Sequence, residues 1–289
     1  MNFSTLLECY PDIALDRHCL SFSRRAASAD IAEAYARAGV VMLKDAMPPT
    51  LLERAAYGFR QCLQAAPVSP TEANAHGSWH SPWLLRLGDF FPAADILGAI
   101  VRSWIWDVVE ELCQTSQIVL LLKFCTARHS VDDSLGLGAH QDAKVVEPSV
   151  PMSLWIPLQD IVPRRCSGLG FVVPHPNCIL PTSADNDVGE DYLLSEPASL
   201  WMPSYALGDL SIHSRFAVHY TTGFGTGTDR YSLEVRAMPR LAAPSDHLDP
   251  ALYVARRNGV PSFVRAHSSL AEANAFLKAA LAAAPVDKG

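Results

Sequence analysis

Residues 208–237 read GDLSIHSRFAVHYTTGFGTGTDRYSLEVRA, and this stretch contains two of the short apolar or alternating runs found throughout the second half of the chain. Glycine and polar turn residues separate one run from the next. Runs of this length, bounded by turn residues, are typical of an all-β barrel or sandwich. The predicted strands lie at Ile118–Phe124, Val150–Leu158, Leu169–Val173, Leu210–His213 and Tyr231–Ala237.

The part of the chain before these strands has helical periodicity. Ser28 or Asp30 can cap a first helix, which Gly39 ends before a short buried strand at Val40–Leu43. The sequence therefore predicts a single domain over 1–289, with a helical part at about 28–114, a β core at about 115–240 and a helical extension at about 241–289. Further helices are predicted after Pro48-Pro49, from Ala93 to about Gln114 as one long amphipathic helix, and near Leu270–Ala283.

The composition is that of a folded globular protein, with 289 residues of which 49% are hydrophobic and 18% charged. The formal net charge of −7 argues against a surface for nucleic acid or anionic membranes. No apolar run approaches the length of a membrane span, and the N-terminal residues lack the pattern of a secretory signal. Seven cysteines without a C-x-x-C pair favour free thiols in a reducing compartment. We therefore expect a cytoplasmic protein, and a homo-oligomer is compatible with the sequence.

The segment Gly136-Leu137-Gly138-Ala139-His140-Gln141-Asp142 contains an H-x-D motif. In an extended strand, side chains at i and i+2 point to the same face, so His140 and Asp142 would present an imidazole and a carboxylate side by side. His219 lies several predicted strands further on and can supply a third ligand. Two neutral imidazoles and one carboxylate on one face of an ion leave the opposite positions open, as in non-haem Fe(II) oxygenases.

A glycine-rich turn follows His219, and Arg230 comes eleven residues after that histidine. A hairpin at this turn would return the guanidinium group toward the metal ion. Because a guanidinium is always charged and can donate two parallel hydrogen bonds, it suits the distal carboxylate of a dicarboxylic co-substrate.

Taken in order, the H-x-D motif, the later histidine and the following arginine resemble the phytanoyl-CoA dioxygenase family of Fe(II)- and 2-oxoglutarate-dependent oxygenases. The resemblance covers about residues 117–240 and implies a double-stranded β-helix, a cupin-like jelly-roll barrel flanked by N-terminal helices and a C-terminal helix. Cys166 and His175 depart from the family pattern without affecting the three ligands. Further matches are SLWIPL at 153–158, SGLGFVVP at 167–174 and the Gly-Asp pair at 208–209.

The resemblance also implies cofactors and residue roles. Asp142 stands where the related halogenases have glycine or alanine, so the likeness indicates an oxygenase that consumes O2. Hydroxylation is the default outcome, and desaturation, epimerisation or ring formation stays open. The implied residues are His140, Asp142 and His219 as ligands of Fe(II), Arg230 with Thr221 or Ser232 at the far carboxylate of 2-oxoglutarate, and Trp155 packed beside this co-substrate.

Three further residues admit two interpretations each. His213 lies in the same strand region as His219 and is the alternative third ligand, although its spacing to the following arginine fits the family less well. Arg236 has the same strand parity as Arg230 and so competes with it as the inward-facing cation, but Glu234 shares that face and Arg236 can simply pair with this carboxylate. Lys123 either reaches the co-substrate or lies at the surface with its ammonium group in water.

The loop from His76 to Phe91 is rich in aromatic residues, proline and glycine, which suits a small, largely apolar organic substrate, for instance one of secondary metabolism. Two other classes of function stay open. A metal-dependent cupin-type isomerase or hydrolase would form no succinate, and a non-catalytic ligand-binding barrel would keep its ligand affinity in a His140→Ala variant. The candidate substrate-binding residues are Trp79, Trp83, Arg86 and Phe216.

Overall fold

The fold consists of two β-sheets with helices packed against the larger one. The large sheet has the strand order β1-β2-β9-β6-β11-β4-β12-β13, and β5 pairs with β11 and with β3. The small sheet has the order β10-β7-β8. This computed structural model describes residues 11–65, 78–82, 91–130, 138–145, 152–163, 165–183, 187–195, 199–222, 228–245, 248, 251–257 and 259–266.

The strands of the described residues are short, as the sequence predicts for a jelly roll. Their bounds are β1 Ser21–Phe22, β2 Val40–Leu43, β3 Ser78–Pro82, β4 Ile118–Leu121, β5 Thr126–Ser130, β6 Met152–Pro157, β7 Gly168–Val172, β8 Leu200–Trp201, β9 Leu210–Ser214, β10 His219–Thr222, β11 Arg230–Pro239, β12 Ala251–Arg257 and β13 Val260–Ala266. The helices are α1 Ser28–Ala38, α2 Pro49–Ala65, α3 Ala93–Val101, α4 Trp104–Cys113, α5 Asp142–Val145 and α6 Glu190–Ser195.

The two faces of the large sheet differ in composition because side chains alternate along each strand. One face packs against α1 to α4 and carries apolar residues such as Leu154, Ile212 and Val235, all fully buried. The opposite face carries Ser153, His213 and Arg236, which are buried and polar. The small sheet packs against this polar face, since the ring of Phe171 in β7 lies 5.7 Å from that of His213 in β9. The space between the sheets is therefore a buried polar interior.

The first predicted helix is confirmed in extent but not in its cap. Gly39 ends α1 in the left-handed conformation at φ +76°, where a side chain would be strained and would also collide with the ring of His175. The residue before the helix is Ala27, and neither Ser28 nor Asp30 caps it through its side chain. Both residues lie inside the first turn of the helix, after the N-cap position at Ala27, so neither side chain is placed to cap the helix.

The single long helix predicted from Ala93 to about Gln114 is wrong, because the structure has α3 and α4 instead. Between them Ser103 is extended, and its hydroxyl accepts a hydrogen bond from the backbone N–H of Ile105. Such a cap stabilises a new helix start. The apolar spacing continues across the break because both helices pack on the same core, so periodicity alone did not reveal it.

The helical extension predicted at about 241–289 is wrong for residues 251–266, which form the antiparallel pair β12 and β13. Strand β12 also pairs with β4, so the large sheet extends beyond the predicted core at about 115–240, as it does at β1 and β2. The helix predicted near Leu270–Ala283 lies outside the described residues. No helix in the described ranges is both long and apolar enough to cross a membrane.

Candidate metal centre

Three of the predicted site residues come together between the sheets. His140, Asp142 and His219 each place one ligand atom within 4.8 Å of the others. The H-x-D segment meets β10 through a short backbone bridge, in which His140 N–H donates to the carbonyl of His219 at 2.9 Å and His219 N–H donates to the carbonyl of His140 at 3.0 Å. The two imidazole rings lie 4.2 Å apart, measured between centroids. A tertiary contact between two distant segments therefore creates the cluster.

The H-x-D segment is not the regular strand that the sequence predicts. His140 occupies an isolated bridge, and Asp142 begins the short helix α5. The alternation of side chains still holds, because Gln141 points away from the cluster and is fully buried. Its amide donates to the carbonyls of Cys178 and Phe216 at 2.8 and 2.7 Å, and its oxygen accepts from Leu180 N–H at 2.8 Å. Gln141 therefore connects the segment that carries His140 and Asp142 to the backbone at residues 178–180 and at Phe216.

Both histidines of the cluster are held in the same tautomer. The Nδ1 atom of His140 lies 2.8 Å from the carbonyl of Gly138, and Nδ1 of His219 lies 3.1 Å from the carbonyl of Ala217. A carbonyl can only accept a hydrogen bond, so Nδ1 carries the hydrogen in both rings. The lone pair of each Nε2 is left for a metal ion.

The protonation states of the cluster also suit a metal ion. Burial lowers the pKa of His219 well below its ordinary value, with further lowering by the nearby imidazoles, and burial likewise lowers the pKa of His140. Burial alone would raise the pKa of Asp142, but Arg236 and the neighbouring histidines outweigh this and hold it well below the usual range. At neutral pH the cluster therefore offers two neutral imidazoles and one carboxylate, as a divalent cation requires.

His213, the alternative ligand, lies against a different part of Asp142. Its Nε2 is 3.4 Å from Oδ2, whereas Nε2 of His219 is 3.8 Å from Oδ1. The rings of His213 and His219 are 4.6 Å apart, and His213 is almost completely buried. The group of three mutually close ligand atoms contains His219, while His213 borders it.

Arg230 begins β11 and is completely buried. Its Nη1 donates to the carbonyl of Gly168 and its Nη2 to the hydroxyl of Ser130, both at 2.9 Å. Its Nε has no hydrogen-bond partner, and no carboxylate among the described residues forms an ion pair with this guanidinium. Burial, followed by repulsion from Arg128, lowers the pKa of Arg230 below its usual range. Within the described part of the chain, this buried cation therefore has hydrogen-bond acceptors but no ion-paired carboxylate.

The other residues predicted for the co-substrate surround the same interior. The indole ring of Trp155 is centred 5.7 Å from Cζ of Arg230, and the ring of Tyr205 packs edge-on against it at 4.9 Å. Ser232 is fully buried, and its hydroxyl has no hydrogen-bond partner in the described part of the chain. Thr221 is buried two residues after His219, so both side chains leave β10 on the same face.

The candidate substrate residues are only partly described. Phe216 is half-buried in the turn between β9 and β10, and the guanidinium of Arg215 lies 4.4 Å from its ring centroid. Trp79 lies in β3 opposite His129. Trp83 and Arg86 lie outside the described residues, as does most of the loop from 76 to 91. Lys123 lies in a 3-10 turn that follows β4 rather than within the predicted strand.

Sequence reasoning missed the contacts that hold Asp142. Arg236 does pair with Glu234, at 2.8 Å, but its Nη1 also donates to Asp142 and to Ser153. Ser153 in turn donates from Oγ to Asp142 Oδ2 at 2.6 Å. These contacts depend on the pairing register of the sheet, which places Ser153 opposite Arg236 in neighbouring strands. That register is a property of the sheet and is not visible in one sequence.

The chain matches no protein-family model, and no curated protein is similar to it in sequence. The resemblance to the phytanoyl-CoA dioxygenase family therefore stays a prediction.

Solved structures of low sequence identity do share its fold. The non-haem α-ketoglutarate-dependent epimerase SnoN from nogalamycin biosynthesis has a TM-score of 0.56 at 18% identity, covering 81% of this chain and 87% of that one. The carbocyclase SnoK from the same biosynthesis has a TM-score of 0.56 at 14% identity, covering 81% and 88%. HygX from Streptomyces hygroscopicus, with nickel and 2-oxoglutarate bound, has a TM-score of 0.56 at 13% identity, covering 74% and 88%. The likeness confirms the predicted jelly-roll fold.

Proposed function

We propose that the protein is an Fe(II)- and 2-oxoglutarate-dependent oxygenase that oxidises a C–H bond of a small, largely apolar organic molecule. The observation that carries this proposal is the convergence of His140, Asp142 and His219, whose ligand atoms lie within 4.8 Å of one another. Two imidazoles and one carboxylate with open positions opposite are the ligand set of non-haem Fe(II) oxygenases. SnoN, SnoK and HygX, whose printed descriptions include α-ketoglutarate dependence or bound 2-oxoglutarate, support the same reading.

The chemistry of the buried residues fits both cofactors. Asp142 and His219 are buried, whereas His140 is only partly buried, so a substrate would approach the centre from the side of His140. Arg230 would pair with the far carboxylate of 2-oxoglutarate, because a buried guanidinium without a carboxylate is stabilised by an anion. Ser232 or Thr221 would add a neutral donor, and Trp155 would cover the carbon chain.

When bound, the iron and 2-oxoglutarate supply oxidative decarboxylation to succinate and the oxidising power that attacks the substrate. The chain's own residues hold and shield these groups. The carbonyls of Gly138 and Ala217 fix the orientation of the two imidazoles. Buried aromatic rings, among them Trp155 and Phe171, keep water away from the interior. Phe216, in the turn beside the H-x-D segment, is proposed to contact the substrate together with Trp79, Trp83 and Arg86.

Co-substrate binding and turnover test the proposal. We expect 2-oxoglutarate to bind the protein only after Fe(II) or Ni(II) is added anaerobically, and succinate to form when Fe(II), O2 and a substrate panel are supplied. The matched control is His219→Ala, which should bind both the metal ion and 2-oxoglutarate much more weakly, because it loses a direct ligand. Metal-independent binding of 2-oxoglutarate, or the absence of both binding and succinate, would refute the proposal. The mass change of a converted substrate then separates hydroxylation from desaturation or isomerisation.

Arg230→Gln tests the proposed binding of the far carboxylate of 2-oxoglutarate. We expect affinity for 2-oxoglutarate to fall roughly 10- to 100-fold, because a charge-assisted hydrogen-bond pair contributes about 1.5–3 kcal/mol. Affinity for Ni(II), measured by calorimetry, should stay within about twofold of wild type, since Arg230 touches none of the three ligands. An unchanged 2-oxoglutarate affinity would show that the anion binds elsewhere.

A further inference from the structure

The two oxygens of Asp142 lie in different surroundings. Oδ2 accepts a hydrogen bond from Ser153 Oγ at 2.6 Å and one from Nη1 of Arg236, and Nε2 of His213 is 3.4 Å away. Oδ1 instead faces Nε2 of His219 at 3.8 Å. The three groups around Oδ2 belong to one row across the large sheet, since Ser153 in β6 lies opposite His213 in β9 and opposite Arg236 in β11.

Arg236 is itself firmly held. It is 6% exposed, its Nη2 donates to Glu234 Oε2 at 2.8 Å, and its Nη1 contacts both Asp142 and Ser153. Glu234 accepts a further bond from Thr126 at 3.2 Å. A planar guanidinium bound along two edges cannot turn without breaking several buried contacts, so it presents a fixed donor to Asp142.

We propose that Arg236 is a positioning residue that occupies Oδ2 of Asp142 and so restricts this carboxylate to donating one oxygen, Oδ1, to the metal ion. A free carboxylate can bind a cation through one oxygen or both. An oxygen that already accepts from a buried guanidinium and a hydroxyl is a weak ligand, because metal binding would cost those charge-assisted bonds. Ser153 supports Arg236 in this role.

The consequence concerns the number of open positions on the metal ion. Two imidazoles and one carboxylate oxygen occupy three positions of an octahedral ion and leave three for other ligands. A 2-oxo acid that chelates through two atoms needs two of these, and O2 needs one. If Asp142 used both oxygens, only two positions would remain. This inference rests on the proposed function, because only that chemistry requires all three.

Two other roles for Arg236 predict different results. If it only balanced charge, its removal would leave a more negative Asp142 and tighten metal binding, and lysine would replace it without loss. If it only packed the core, its removal would lower stability and leave metal affinity unchanged in the folded fraction. Positioning predicts weaker metal binding in both a neutral and a lysine variant, because Asp142 is then no longer held with Oδ1 toward His219, and lysine keeps the charge but not the planar fork.

Titration of the purified full-length chain with Ni(II) by calorimetry separates these roles. We expect Arg236→Gln to weaken binding roughly 10- to 100-fold, the range found for outer partners of metal ligands, and Arg236→Lys to weaken it by at least about fivefold. Arg256→Gln is the matched control, because Arg256 also pairs with two carboxylates, those of Asp107 and Glu110 in α4, and none of these three residues belongs to the metal centre; its Ni(II) affinity should stay within about twofold of wild type. Unchanged or tighter binding in Arg236→Gln would overturn the inference.

A second variant covers the case in which Arg236→Gln fails to fold. Ser153→Ala removes one donor to Oδ2 at little cost in packing, and we expect it to weaken Ni(II) binding by about three- to tenfold. Ni(II) affinity equal to wild type in Ser153→Ala, with no folded Arg236 variant to measure, would also overturn the inference.

Binding of 2-oxoglutarate to the Ni(II)-saturated proteins gives an independent readout. In Arg236→Gln the freed Oδ2 can compete for a metal position, so 2-oxoglutarate affinity should fall at least about fivefold, while Arg256→Gln keeps the wild-type value. Equal affinities in the two variants would contradict the single-oxygen role. Failure of the wild-type protein to bind Ni(II), or to need Ni(II) for 2-oxoglutarate binding, would instead refute the proposed function.

Discussion

Arg230 and Arg236 lie on the same strand and the same face, and both are buried, yet their surroundings are opposite. Arg236 contacts two carboxylates, those of Asp142 and Glu234. Arg230 contacts a carbonyl, a hydroxyl and an indole ring, and none of the described carboxylates pairs with it. The difference fits a division of roles in which Arg236 balances charge within the fold and Arg230, as proposed above, receives an anion from outside.

The cost of that second arrangement supports its interpretation. Burying an unpaired ion costs several kcal/mol, which neutral hydrogen bonds and a cation–π contact offset only in part. A buried charge that lowers the stability of the free protein is expected at a binding site, where a ligand of opposite charge pairs with it.

The largest predicted effect is on the free energy of unfolding, and it differs between variants of Arg236 and of Arg230. Arg236→Met should lower the free energy of unfolding by about 3–5 kcal/mol, because it removes the guanidinium that pairs with the buried carboxylate of Asp142 and with Glu234. Arg230→Met should leave it unchanged or raise it, because it removes an unpaired buried charge. Urea denaturation of the metal-free proteins measures both. If both variants lost the same stability, the distinction between the two arginines would not hold.

The next largest effect is on Ni(II) affinity, and it differs between variants of His219 and of His213. His219→Ala should weaken Ni(II) binding by more than about 100-fold, as expected for loss of a direct ligand, and His213→Ala by less than about tenfold. The reason is that His219 lies near Oδ1 and His140, while His213 lies near Oδ2. Calorimetric titration distinguishes them, and the reverse order would make His213 the ligand.

A smaller effect concerns pH. The pKa values of His140 and His219 are lowered in the folded chain, so below about pH 6.5 the unfolded chain binds more protons and stability falls as pH falls. Each histidine contributes at most about 1.4 kcal/mol per pH unit within its window. His219→Gln should flatten the profile of the metal-free protein between pH 7.5 and 5. His18 and His175, whose pKa values are also lowered, remain in the variant and so cancel in the comparison. Parallel profiles would contradict this prediction.

The smallest effect concerns the ring beside Arg230. Trp155→Phe keeps an aromatic face but weakens the cation–π contact, so 2-oxoglutarate affinity should change by about two- to fivefold, equivalent to roughly 0.5–1 kcal/mol. Ni(II) affinity should not change. A change in Ni(II) affinity as large as that in 2-oxoglutarate affinity would place Trp155 at the metal end instead.

Much of the fold could be predicted from local pattern. The alternation in Met152–Pro157, Leu210–Ser214 and Arg230–Pro239 gave the strands of the central sheet, and Gly39 gave the end of the first helix. The break at Ser103 and the strands at 251–266 could not be predicted. In both cases periodicity is compatible with two structures, and packing against the rest of the core selects one of them.

The sequence by itself determined which side chains face the interior, because residues two apart on a strand share a face and because His, Asp and Arg have fixed donor properties. The ordered motif and its resemblance to a family, rather than strand parity alone, indicated His140, Asp142, His219 and Arg230 as candidates. Only the tertiary structure decided which carboxylate each arginine meets. Sheet register and the bridge between residues 140 and 219 set those distances, and they arise from contacts between segments far apart in the chain.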